Sequence, residues 1–550
     1  MKSCFSLILF MLLSAASYAH VGSAGVQMQA QAGGYKVLVS IVPPDVIPGT
    51  AQVSVYIEYG EARKVSVRPI YFYSGDKGAP TSDALAPVAG QKGQFQGAVW
   101  LMEPGSSSAQ ISIEGMQGDA ELIIPIVAVS TAERDMPKGL GIGLGIVGLL
   151  LFLLMITTIG ASVSDGLLKP GQNLTPAQNR KRWINMGIAT VICSLILYGG
   201  SSWWDSWAAE YKQWLYKPLK AKTAVIDTDS QRVFQLKIDT TNWDRRMKRS
   251  MLSTLVPDHG KIMHTFLVRT PGLDAFAHVH PDRKDTLTFE AALPDLPAGK
   301  YLVYSDIVQY TGFAETIVDT LVINAKPAAH VAKALSEDDT YIITDPLDTP
   351  GKVPMGENVV ICGKPGTKTV FKDGSYAIWE GKPDKALEAG KPYQLNFEIF
   401  NPDNSPCFPE PYLGMLGHAV IMRSDGSVYI HLHPSGSYSM AAEQSFESRI
   451  SDTAHVARWP KPDVFRDSID RHLAQLKAMP TVDREIFLMK EMGMYNVTEG
   501  GMTGMEHGTR ISFPYAFPKG GQYRIFLQIK RNEKVLTGAF DVKVSDPVTL

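Results

Sequence analysis

The chain has 550 residues, with 53 Lys and Arg against 55 Asp and Glu, a net charge of −2. At roughly 100–200 residues per domain this makes three or four modules, and the near-neutral balance excludes the basic stripe that nucleic-acid binding needs. With 48 Gly and 35 Pro the chain favours turns and short strands, and a mean hydropathy of −0.03 signals local apolar runs.

Residues 1–19 read as a secretory signal. Lys2 supplies the positive end, Phe5 to Leu13 the apolar run, and Ser17 and Ala19 the small residues before a cleavage point. The mature chain would then begin at His20. Residues 20–135 read as an exported β-sandwich, with alternating stretches from Tyr35 to Val42 and from Ala51 to Tyr59 separated by turn signals.

Two apolar spans follow, at 139–162 and 183–204. Leu140 to Ala161 carries no charge over 22 positions, about 33 Å of helix against a ~30 Å hydrocarbon core. That is too long and too apolar for an ordinary core helix. The loop at 163–182 carries Lys169, Arg180, Lys181 and Arg182 against Asp165, which places it in the cytoplasm and both flanking regions outside. The second span ends in an aromatic cluster, Trp203, Trp204, Trp207, Tyr211, Trp214 and Tyr216, of the kind found at a membrane–water interface, so residues 205–224 read as an interfacial linker.

The remainder contains an internal repeat. Phe234 to Ile238 matches Tyr393 to Phe397, Met263 to Arg269 matches Gly417 to Arg423, and Phe276 to Pro281 matches Tyr429 to Pro434. Leu296 to Tyr304 matches Phe517 to Phe526 with one residue inserted. The natural reading is two further sandwiches, at 225–335 and 340–550, the second carrying a helical, Met-rich insertion at 440–508. The fold class is therefore mainly β: three Ig-like or cupredoxin-like sandwiches plus two transmembrane helices.

Of 12 histidines, six sit at matched repeat positions: His264, His278 and His280, then His418, His431 and His433. A hairpin about Pro271-Gly272 sets His264 opposite His278, and one about Asp425-Gly426 sets His418 opposite His433. Residues two apart on a strand share a face, so each hairpin gathers three imidazoles. Such a triad suits one copper ion, or alternatively zinc. The competing reading is that they satisfy hydrogen bonds inside a sandwich. His259, His330, His455 and His472 show no such pattern and read as structural.

Met415 lies beside the second set, and Met502, Met505 and His507 lie in Gly-rich sequence where helix packing explains a methionine poorly. Thioethers there would favour Cu(I), against the alternative of gap-filling. His20, if N-terminal, would offer an α-amino group and an imidazole together for Cu(II), against the alternative of a free terminus. Cys362 and Cys407 are either bridged or two free thiols.

At these residues the chain resembles exported copper-binding sandwich domains of the YtkA-like and CopC-like kind. The carriers are the MH…FAHVHP and GH…YIHLHP segments and the potential N-terminal His20. That resemblance implies a bacterial protein anchored in the inner membrane. Both large regions would face the periplasm, and the function would be copper handling or delivery beside other metal-handling proteins. The alternative is a non-catalytic assembly module of an inner-membrane complex. No nucleophile elbow, P-loop, H-E-x-x-H or dinucleotide fingerprint identifies an enzyme.

Overall fold

The computed structural model describes residues 20–21, 25–133, 136–169, 171–227, 231–241, 250–325, 335–347, 358–361, 364–382, 385–492 and 508–547. Strand accounts for 43% of the described residues and helix for 24%, so β structure predominates as composition suggests. The chain forms two compact units. One comprises Asp45–Ile47 and Val129–Lys217, the other the remainder.

The smaller unit holds two helices long and apolar enough to cross a membrane. The first is Lys138–Ser162. The second is Pro176–Trp214, which starts where Thr175 and Gln178 form a capping box. At 39 residues it measures about 58 Å. It therefore absorbs the last part of the expected loop and half of the expected linker. The two pack closely at Gly160, where an added Cβ would meet the Met186 sulfur at 2.7 Å.

The larger unit contains six sheets among the described residues. Strands with one solvated face alternate between buried and open positions, as Tyr35–Val42 shows. Two of the sheets are central to the site. One orders Gly299–Gln309, His264–Thr270 and Ala275–Val279 side by side, and the other orders Gly521–Arg531, His418–Arg423 and Val428–Leu432 in the same way. Each has its own core on one face. Leu267, Ala277 and Tyr301 pack with Phe234 and Leu236, whereas Ala419, Ile421 and Ile525 pack with Trp379 and Phe397.

The opposite faces of these two sheets pack against each other. Phe266, Val268, Phe276 and Tyr304 meet Val420, Met422, Tyr429 and Phe526 in one shared cluster. Tyr304 stacks on Tyr429 at 4.2 Å, and Phe276 stacks on Phe526 at 4.2 Å. These are the same two repeat positions exchanged, so the repeats are related by an approximate twofold axis. Burial on both faces explains why these strands read as nearly unbroken apolar runs. The helices Met440–Ser451, Pro462–Ala478 and Thr481–Glu491 fill the insertion after the second histidine strand.

Candidate metal centre

The histidines occupy one end of this sheet-to-sheet interface. Period-2 alternation puts His264 on the face of Phe266 and Val268, and His418 on the face of Val420 and Met422. The six matched histidines therefore form one buried cluster shared by both repeats, not two separate groups. His431 reaches across, its ring centre 5.3 Å from His264 and 5.3 Å from His418.

The hairpin expectations fare differently in the two copies. Ala419 pairs with Leu432 and Val420 with His431, which sets His418 against His433 as read from the sequence. In the first copy Thr265 pairs with Val279 and Phe266 with His278, so His264 faces His280 and not His278. The cause is a wider loop, closed by the Leu273 N–H donating to the Arg269 carbonyl with Leu273 at positive φ. The shift is two residues, so parity and face survive.

Two sets of three imidazoles bring ring nitrogens within 4.8 Å of one another: His264, His278 and His280, and His259, His418 and His433. The second set departs from expectation. His431 lies outside it, and His259, which the sequence reading left structural, takes its place. His259 and Gly260 form a tight turn with φ of 50° and 73°, closed by reciprocal bonds between Asp258 and Lys261. Histidine is among the few side chains that enter this region with any frequency.

The other repeat builds the same turn from Leu413 and Gly414, closed between Tyr412 and Met415. Pro257-Asp258-His259-Gly260 thus aligns with Pro411-Tyr412-Leu413-Gly414. Comparing these turns, and not only the histidine strands, would have singled out His259.

Hydrogen bonds fix the tautomers. The His264 Nε2 faces the Asp258 carbonyl at 3.0 Å, and the His433 Nδ1 faces the Tyr438 carbonyl at 3.1 Å. A carbonyl only accepts, so these nitrogens carry the protons. The Tyr412 hydroxyl donates to the Asp338 carbonyl at 2.8 Å, so its oxygen accepts from His278 Nδ1 at 3.3 Å. Gln528 Oε1 accepts from the same nitrogen at 2.8 Å. His280 Nδ1 donates to Asp339 at 2.8 Å, and His259 Nδ1 stands 3.3 Å from the Met492 sulfur.

His264 Nδ1 and His278 Nε2, both left as lone pairs, face each other at 3.2 Å, and His259 Nε2 stands 3.1 Å from the His433 Nε2 lone pair. Among the described residues His280 Nε2 and both ring nitrogens of His418 are buried without a hydrogen-bond partner. Two nitrogens on one tetrahedral ion, at 2.0–2.1 Å each, stand about 3.3 Å apart. One pair in each triad meets that spacing, and the third member lies within 4.8 Å of both. Outward N–H groups held by carbonyl, carboxylate and amide acceptors are the arrangement that orients metal-ligating imidazoles.

Protonation does not relieve the collision of His264 with His278. Burial holds His259, His278, His280, His418 and His431 well below the usual imidazole range, and His433 at about 3. His264 is likewise lowered, chiefly by burial. Burial and the neighbouring Asp338 push Asp339 up to about 7. Beneath the first triad, Lys261 and Arg484 hold Asp338 at 2.6 and 2.9 Å, depressing its carboxyl despite burial.

The other candidates are placed as follows. Met415 is fully buried, its backbone closing the turn that carries Tyr412. The strand His20–Val21 runs parallel beside Val428–Leu432 with His20 in register with Val428, at the edge of the histidine sheet. Met502, Met505, His507, Cys362 and His330 lie outside the described residues. Cys407 is a buried free thiol, packed in the core with Trp379 and Phe397. Two cavities border the cluster. One of about 130 Å³ touches His264, His431, His433 and Asp306, and one of about 660 Å³ touches His259, Met492 and His472.

A family model for a domain of unknown function (DUF8832) matches residues 369–461 and 495–546. The skipped interval holds the helices Pro462–Ala478 and Thr481–Glu491, which marks them as an insertion into that domain. No curated protein matches the chain. Among solved structures it is similar to a tetra-tandem repeat from the extending region of a large adhesion protein, at 8% identity and a TM-score of 0.15, covering 92% of this chain and 73% of that one. It is also similar to dimeric latent PorU from Porphyromonas gingivalis, at 8% and 0.12, covering 95% and 34%. A membrane anchored protein from Corynebacterium diphtheriae matches at 9% and 0.12, covering 96% and 97%. At these scores the likenesses carry no functional argument.

Proposed function

We propose that this chain is a membrane-anchored, exported copper-binding protein that handles or delivers the metal through the buried histidine cluster of its C-terminal repeats. The observation that carries the reading is the lone-pair collision of His264 against His278, with His259 facing His433 at the same spacing in the second triad. The collision is unfavourable in a low-dielectric interior and becomes favourable with a cation between the nitrogens. Both triads consist of histidine alone. That disfavours hard oxygen-seeking cations, and among first-row ions copper binds such sets most tightly, with zinc as the alternative.

The rest of the chain supports location. We read the paired sheets as three Ig-like or cupredoxin-like sandwiches, the two apolar helices as the anchor, and the basic loop as cytoplasmic. Reporter fusions at residues 130 and 230 should then mark the exported side, and one at 172 the cytoplasm. The same signal at 172 and 230 would refute that topology.

The direct test is the metal content of the detergent-solubilised full chain. Two copper equivalents are expected, and none in a His264→Ala, His418→Ala double variant. Zinc retained in place of copper would reassign the metal. Full copper content in the double variant would sink the proposal and leave the assembly-module reading.

A further inference from the structure

We infer that the two triads form one dinuclear centre whose shared face binds a small bridging anion. This rests on the metal-binding reading above and adds a ligand class to it. Proximity is the first argument. His259 of one triad packs against His264 of the other with ring centres 6.1 Å apart. His431 lies 5.3 Å from His264, 5.7 Å from His278, 5.3 Å from His418 and 4.6 Å from His433. It belongs to neither triad and touches both.

His431 also offers an unused donor. His431 is 9% exposed and its Nε2 is buried with no hydrogen-bond partner among the described residues. Its Nδ1 stands 3.7 Å from Asp306, which accepts instead from Tyr429 and Thr316 at 2.8 and 2.6 Å. A buried polar group left this way is costly unless a ligand completes it.

Space is the third argument. The cavity of about 130 Å³ touches a member of each triad, His264 and His433, together with His431 and Lys261. At about 30 Å³ per water it accepts a triatomic anion or about four waters.

Charge decides the class of ligand. Six neutral imidazoles contribute nothing against two divalent ions. Of the groups lining the cavity, Asp258, Asp306 and Glu315 supply at most three negative charges and Lys261 returns one positive. The loaded centre therefore carries excess positive charge in a poorly solvated space, and a small anion between the ions offsets it. A proton on either nitrogen of His431 would then be available to hold that anion.

The test uses full-length protein in detergent, loaded with Cu(II), and azide as the probe. At one equivalent the copper EPR signal should be that of an isolated ion. At two equivalents it should show dipolar broadening and a half-field line. His259→Leu should hold one equivalent only and lose both features; Leu413 shows that leucine fits this turn. Azide should bind once per copper pair with a new charge-transfer band. His431→Ala should keep two coppers and bind azide about tenfold more weakly, the scale of one hydrogen bond to a charged group. Two magnetically isolated coppers, or azide affinity unchanged in His431→Ala, would overturn the inference. A chain that takes up no copper would instead refute the metal-binding reading beneath it.

Discussion

The two C-terminal repeats share one strand order and one turn, yet differ at two positions that face the cluster. Where the first repeat has His259 at its tight turn, the second has Leu413 in the same backbone conformation. Opposite His264 stands Asp306, and opposite His418 stands Gln528. Each of these reaches across the interface to the middle histidine of the other repeat. Gln528 does so at 2.8 Å to His278, and Asp306 at 3.7 Å to His431. The amide fixes the tautomer of its histidine and turns that ring's Nε2 lone pair toward His264, whereas the carboxylate stands too far off to fix His431. Duplication supplied six histidines, and these two differences make one triad internal to a repeat and the other shared between repeats.

The sharpest way to break this comparison is to remove one ligand at a time. His278→Ala should abolish one copper equivalent and His259→Leu the other, each leaving its neighbour. Equilibrium dialysis with metal analysis checks both. If His259→Leu keeps two equivalents while His431→Ala loses one, the repeats are symmetric after all and the second triad is His418, His431 and His433.

The apolar end of the interface offers the second test. Phe276 stacks on Phe526 with no exposed surface, so Phe276→Ala should destabilise by about 3–5 kcal/mol. Chemical denaturation measures this. Copper content of the folded variant should stay at two equivalents, since the histidine end has its own contacts.

A pH test sharpens the role of the helix covering the cluster. Burial and the neighbouring Glu447 push Glu443 up to about 8, from about 4.5. The folded state therefore binds more protons than the unfolded state between these values. Its contribution to stability is full below about 4.5 and is lost as pH rises through about 8. Glu443→Gln should remove a slope of at most about 1.4 kcal/mol per pH unit in that window. An unchanged slope between pH 5 and 8 would show that this carboxyl is solvated.

The smallest effect is expected at Tyr412. Tyr412→Phe removes the hydroxyl shared by Asp338 and His278, costing about 1 kcal/mol of stability. It should weaken copper at the first triad by about tenfold without changing stoichiometry. Competition titration against a chelator reads this directly.

The sequence by itself determined what depends on local periodicity. Alternation marked the strands, the uncharged runs marked the two long helices, and the matched HxH segments gave the face that His264, His278 and His280 share. Parity survives a register slip of two, so those three stayed together even though the loop about Gly272 is wider than its Pro-Gly suggests. The Asp425-Gly426 turn fixed its register outright, because a short reverse turn leaves one pairing. What only the tertiary structure decided is how the two repeats meet. No period in the chain says that Phe266 and Val420 share a core, nor that His259, from a turn, joins His418 and His433 from strands far along the chain. Those contacts arise because two sheets, each already buried on one face, also bury the other, and sequence patterns encode which face is apolar but not its partner.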